Sequence, residues 1–216
     1  MPVHVKICGV TNAAAVRDAA DAGARYLGFN FYPPSPRYLD PTAARALMLD
    51  VPEGVAKVVL VVDPDDARLD ALLAQVPADF VQLHGHESPA RVAEVRARIG
   101  LPVIKAVGLA EPGDLALIDS YMPVCDQILV DAKPPKDAEL PGGNGLVFDW
   151  RLLQGRRWSC PWLLAGGLRP ETVAEAMRLT GARQLDVSSG VESAPGVKDK
   201  GRMQAFIAAA KGAAQD

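Results

Sequence analysis

The sequence has little of what would tie it to a membrane, a nucleic acid or an oxidising compartment. No apolar stretch approaches the roughly 18–20 residues that span a bilayer. Met1-Pro2-Val3-His4-Val5 runs straight into a strand-like segment, without the charged and apolar regions of an export signal. No run of Lys or Arg is long enough for a nucleic-acid-binding arm, and 23 basic residues against 26 acidic ones leave a net charge of −3. Any bound anion must therefore be held locally, by a few side chains and backbone N–H groups. Cysteine is scarce: Cys8, Cys125 and Cys160 lie far apart, form no C-x-x-C pair, and make a poor disulfide framework or zinc site. Reduced thiols in a cytoplasmic protein are the expectation. Linkers and low-complexity tracts are missing too. The 216 residues are therefore expected to form one domain, 1–216, of the size that α/β barrels fill, about 200–250 residues.

What is present is repetition. Short β-branched or apolar runs alternate with Ala/Leu/Arg/Glu-rich stretches of helical character, the mark of βα units and a parallel sheet. The runs predict strands at Val3–Cys8, Tyr26–Asn30, Ala56–Val62, Phe80–Leu83, Val103–Val107, Gln127–Asp131, Trp162–Leu164 and Gln184–Val187. Helices are expected around Ala13–Ala22, Pro41–Leu49, Ala67–Gln75, Pro89–Ile99, Gly113–Ser120, Asp149–Leu153, Glu171–Leu179 and Lys200–Ala214. Eight such pairs make an α/β fold, a (β/α)8 TIM barrel. An open doubly wound sheet would carry its glycine fingerprint after the first strand, whereas here the glycine clusters come late. Thr11-Asn12, Asp40-Pro41 and Ser88-Pro89 can cap helices, and Gly23, Gly100 and Gly181 can end them. Lys133 to Gly145, rich in Pro, Gly and charge, is expected to be a mobile loop that closes as a lid.

Function in such a barrel gathers where strands end on the C-terminal side. Side chains alternate along a strand, so Lys6 and Cys8 share one face, as do Gln82 and His84. Cys8 is open to two readings, a small buried hydrophobe or a reactive thiol, with Lys6 a candidate partner in the second. Asp131 is likewise an ion-pair partner of Lys105 or Lys133, or a catalytic carboxyl. Cys125 and Cys160 end no strand and are read as structural. Gly166-Gly167 after the seventh strand and Ser188-Ser189-Gly190 after the eighth form the recurrent phosphate cup of these barrels, with a helix opening at Pro170. Glycine admits the N–H groups to the oxygens, and the serine hydroxyls add donors. The cup is expected opposite Cys8 and Asp131. Three prolines stiffen the segment before Arg37, whose guanidinium suits a planar carboxylate, although taken alone it reads as a surface arginine.

Taken together these segments resemble the phosphoribosylanthranilate isomerase family over nearly the whole chain. The likeness is carried by Lys6-Ile7-Cys8-Gly9, Ser35-Pro36-Arg37, Gln82-Leu83-His84-Gly85, Leu129-Val130-Asp131, Gly142-Gly143-Asn144-Gly145 with Phe148-Asp149-Trp150, Leu164-Ala165-Gly166-Gly167-Leu168, and Asp186 to Glu192 followed by Pro195-Gly196-Val197-Lys198-Asp199. Asn144 departs from the small hydroxyl residue more common there.

The resemblance implies an aldose–ketose isomerase of tryptophan biosynthesis that carries out an Amadori rearrangement. It assigns Asp131 as general acid and Cys8 as general base. Arg37 would hold the anthranilate carboxylate, Gly166, Gly167, Ser188, Ser189 and Gly190 the phosphate, and His84 and Asp186 would shape the pocket. It calls for no metal or organic cofactor. The partner is a small phosphosugar, with no nucleic acid or membrane, and a monomer or a small homo-oligomer would serve. The competing readings are an isomerase of another aminoaldose phosphate and a barrel that binds phosphate without catalysis. Indole-glycerol-phosphate synthase needs a catalytic lysine set and a longer N-terminal extension. The aminoaldose isomerase of the histidine pathway uses two aspartates and two phosphate cups.

Overall fold

Eight parallel strands close on themselves in the computed structural model: β1 (His4–Cys8), β2 (Tyr26–Asn30), β3 (Ala56–Val61), β4 (Phe80–Leu83), β5 (Val103–Leu109), β6 (Gln127–Ala132), β7 (Trp162–Leu164) and β8 (Gln184–Val187). Each pairs with the next, and β8 returns to β1 with Lys6 beside Asp186. The structure describes residues 2–133, 142 and 145–214. Most of the expected lid, Asn144 included, lies outside the described residues. Among them, no helix is long and apolar enough to cross a membrane.

Helices α1 (Ala13–Ala22), α2 (Pro41–Leu49), α3 (Asp66–Leu73), α4 (Pro89–Ile99), α5 (Leu115–Tyr121), α6 (Val173–Thr180) and α7 (Lys200–Gly212) surround the ring. The capping chemistry is as the sequence implies. The side chains of Asn12, Asp40 and Ser88 accept from the first free N–H groups of α1, α2 and α4, and Gly23, Gly100 and Gly181 end helices at positive φ. In α6 the buried positions Val173, Ala176, Met177 and Thr180 recur every three to four residues, the stripe of a helix with one dry face.

Two expectations change. Asp149–Leu153 is not an α-helix but a 3-10 turn at Trp150–Leu153, ended by Gly155 at φ +69°. Four residues cannot recover the cost of nucleating an α-helix. Likewise α6 opens at Val173, not Pro170, with Thr172 before it. A hairpin also appears that the alternation does not announce: β9 (Glu192–Ala194) turns back at Pro195-Gly196 into β10 (Val197–Lys198).

Strand parity sorts the core into two shells. Outward residues such as Ile7, Phe29, Val59, Leu83 and Leu185 pack under the helices, each contributing about 1.5–3 kcal/mol on burial. Inward residues Tyr26, Val58, Ile104, Leu129 and Leu163 fill the barrel floor. Above that apolar floor the same parity becomes polar: Lys6, Gln82 and Asp186 are buried inside the ring. This change of chemistry with height puts the site at the C-terminal mouth.

Candidate active site

Asp131 projects from the end of β6 into a pocket that Cys8, Arg37, His84, Asp186 and the loops after β7 and β8 also line. Neither lysine considered as its partner takes that role. Lys105 is buried against Glu87 at 2.6 Å on the outer face of β5, and Lys133 pairs with Asp114 at 2.6 Å. Asp131 faces His84 instead, Nε2 to Oδ2 3.6 Å, and its Oδ1 accepts from the N–H of Ala132 at 2.8 Å. Gln82 Nε2 meets His84 Nδ1 at 2.8 Å. With the amide donating there, the ring proton stands on Nε2, toward Asp131. The backbone of Gly142 crosses this pair: a Cβ there would fall 2.9 Å from Asp131 Oδ2 and closer still to His84 Nε2.

Cys8 is buried at the end of β1. The absence of a side chain at Gly28 makes room for it, since a Cβ there would lie 2.9 Å from Sγ and 3.2 Å from Lys6 Nζ. Lys6 is thus near the thiol, as its parity implies, but it is also bonded to Asp186 at 2.7 Å. Burial pushes the Cys8 thiol up; the ammonium groups of Lys6 and Lys198 pull the other way, while Asp186 adds to the rise. Burial also works against the Lys6 ammonium, yet Asp186 and Cys8 hold it up to about 12.

Arg37 is buried, not a surface group. Its Nε and Nη2 donate to the two carboxylate oxygens of Glu192 at 2.8 and 2.9 Å, a fork-to-fork pair that fixes the guanidinium plane. Its stem lies on Gly9, where a Cβ would come within 2.5 Å of Cδ.

The cup residues Gly166, Gly167, Ser188, Ser189 and Gly190 come together at one wall. Gly166 and Gly167 take φ of +84° and +63°, a backbone that glycine adopts without strain. Gly190 passes so close to the carbonyl of Leu168 that no side chain fits. The Ser188 hydroxyl, however, donates to the carbonyl of Cys8 at 3.1 Å, so it faces β1, not the cup. In ring order β7 and β8 lie between β6 and β1. The cup is therefore flanked by Asp131 and Cys8, not opposite them. Cys125 and Cys160 precede β6 and β7, at the other end of those strands from the pocket.

This site can be compared with known proteins. The family model for N-(5'phosphoribosyl)anthranilate (PRA) isomerase matches residues 5–209. The chain belongs to that family. An N-(5'-phosphoribosyl)anthranilate isomerase of Paracoccus denitrificans is 65% identical over 97% of this chain and 98% of its own. The phosphoribosylanthranilate isomerase of Thermotoga maritima superposes with a TM-score of 0.87 at 36% identity, covering 97% of this chain and 99% of that one. A member solved with reduced 1-(o-carboxyphenylamino)-1-deoxyribulose 5-phosphate gives 0.83 at 34% identity, again covering 97% and 99%. The barrel read from the residues and the isomerase class implied by the resemblance both stand.

Parity and strand ends find Cys8, Gln82, His84 and Asp131 in this isomerase but miss Gly142, Glu192 and Lys198. The Pro195-Gly196 turn was the available signal for the last two, since it marks a reversal that carries the chain back toward the mouth.

Proposed function

We propose that this isomerase opens the ribose ring of N-(5-phosphoribosyl)anthranilate with Asp131 and abstracts the C2 proton with Cys8, giving 1-(2-carboxyphenylamino)-1-deoxyribulose 5-phosphate. The observation that carries the assignment is that Asp131 and Cys8 line one pocket, with the cup between their strands. A phosphate seated there extends the sugar across the mouth between acid and base. Arg37, buried and oriented by Glu192, takes the anthranilate carboxylate at the other end.

The Asp131 proton goes to the furanose ring oxygen. The C1–O bond breaks, and the nitrogen lone pair forms the C=N⁺ bond of a Schiff base. The Cys8 thiolate then removes the proton from C2, and that electron pair makes a C1=C2 bond while the nitrogen regains its own. The enolamine gains a proton at C1 and loses one from the C2 hydroxyl, which leaves the ketone. The ring opening and the C2 abstraction are each a proton transfer by a positioned side chain, a type of catalysis worth about 10²–10⁴-fold per group. His84 faces Asp131, while Asp186 holds Lys6 beside Cys8.

The experiment is the decay of anthranilate-type fluorescence when enzymatically generated substrate meets the purified chain, its Cys8→Ser variant and its Asp131→Asn variant. Each variant is expected to lose at least about a hundredfold in kcat. Turnover at the wild-type rate in either one would overturn its role.

A further inference from the structure

The Cys8 thiol is buried, and burial alone makes a thiol a poorer base donor by keeping it protonated. Something must supply positive charge, and among the described residues no histidine faces it: His84 is turned to Asp131 and Gln82. The charged groups around Cys8 are Lys6 from its own strand, Asp186 from β8, Arg37 from the segment after β2, and Lys198 from β10. From β2 Gly28 lies against it, and Asn30 lines the same pocket.

Lys198 is the unusual member. Its backbone is partly exposed, yet its side chain has no exposed surface. Nζ donates to Glu192 Oε1 at 2.6 Å, to the Ser188 carbonyl at 3.1 Å and to the Ser188 hydroxyl at 3.3 Å. That hydroxyl in turn donates to the Cys8 carbonyl at 3.1 Å. An ammonium has three protons, and these acceptors use all of them while pointing the charge at the root of the base. A lysine buried at such a point needs a reason, because burial disfavours its charged form.

We propose that Lys198 is a positioning residue for the base, its ammonium joining that of Lys6 to supply the positive charge against which Cys8 ionises. Glu192 opposes the lowering that burial imposes on the Lys198 ammonium, and the same Oε1 accepts from Arg37. One carboxylate thus ties the second cation of the base to the guanidinium at the carboxylate end of the pocket. Cys8 then needs no histidine: Lys6, tethered by Asp186, and Lys198, tethered by Glu192, are the two ammonium groups that act on it.

The inference rests on Cys8 being the base, and its test reads the thiol without turnover. Iodoacetamide alkylation of Cys8 is followed against pH, with Cys8→Ser as the blank for Cys125 and Cys160. Lys198→Met leaves Glu192 with its Arg37 partner, so the fold has no stranded carboxylate. Lys198→Gln removes the charge but keeps a hydrogen-bond donor, should the methionine variant fail to fold. In either variant the Cys8 titration should move up by about one pH unit, the low end of what an opposite charge at close range does. The acid limb of the kcat profile should move with it, with KM unchanged and the rate recovering at high pH. Lys198→Arg should keep the wild-type titration. An unmoved Cys8 titration in a folded neutral variant would overturn the role of Lys198. If Cys8→Ser still turned over, the assignment of the base itself would fall instead.

Discussion

His84 Nε2 stands 3.6 Å from Asp131 Oδ2, both largely buried under the backbone of Gly142. A general acid must hold a proton at the moment of reaction, and an imidazole whose Nε2 faces the carboxyl fixes the direction in which that proton is presented. Gln82, fully buried below, fixes the imidazole. The consequence is a rate effect with little change in binding.

For His84→Asn, kcat should fall about tenfold, since the ring that stands against Asp131 and positions its carboxyl is lost. KM should change far less. Steady-state fluorescence kinetics decide it, and an unchanged kcat would rule out any part for the imidazole in the acid step.

Gly142→Ala places a methyl against both members of that pair. The chain must then lift from Asp131 or push His84 aside, and kcat is expected to drop by about tenfold as a misplaced general acid loses part of its contribution. Gly113, where an added Cβ would meet nothing within 4 Å, is the control. Gly113→Ala should leave the kinetics alone. Equal activity in both variants would show that the close passage over Asp131 has no consequence.

Arg37→Ala should raise KM and spare kcat, because the contact it removes is made equally to substrate and transition state. An unchanged KM would move the carboxylate site elsewhere.

Glu87 and Lys105 test the frame behind the site. Glu87 accepts from the N–H groups of Gly85 and Asp63, while Lys105 donates to the Gly85 carbonyl, so the pair clamps the loop that follows His84. Both side chains are only 2% exposed. Glu87→Gln leaves a buried ammonium without its counter-charge, and urea unfolding should show a loss of about 3–5 kcal/mol. A loss below about 1 kcal/mol would mean that the pair is solvated in solution.

Glu192 supplies a pH dependence. Burial works to raise its carboxyl, but Arg37 and Lys198 outweigh it and hold the group below the ordinary glutamate range. A carboxyl lowered in the folded state stabilises above its unfolded pKa, about 4.3, and that stability is lost as the pH falls through the folded value. Chemical unfolding from pH 7 downward should therefore steepen below about pH 4.3. Glu192→Gln should be less stable at neutral pH and flatter in acid. Parallel curves for the two proteins would contradict the sign.

Strands and caps are legible because each is written in contiguous residues. Tyr26–Asn30 and Phe80–Leu83 are bounded apolar runs, and the alternation Lys6, Cys8 and Gln82, His84 marks an inward polar face. The 192–198 hairpin is not legible, because strands of three and two residues are shorter than any period can register. Partner choice is hidden for a different reason. Whether Asp131 meets Lys105, Lys133 or His84 depends on parity across neighbouring strands, and Lys105 faces outward, where no sequence pattern announces Glu87. The direction of the Ser188 hydroxyl is settled only by Lys198 and Cys8 arriving beside it.

The bond between Lys6 and Asp186 joins residues 180 positions apart, and this separation has a consequence for biosynthesis. A chain emerging from the ribosome presents Cys8 long before β8 and the hairpin exist. Until the last strand docks on the first, that thiol lacks Asp186, Ser188 and Lys198 around it and is an ordinary cysteine. Under the proposed role of Cys8, completion of the ring and activation of its thiol are then one event.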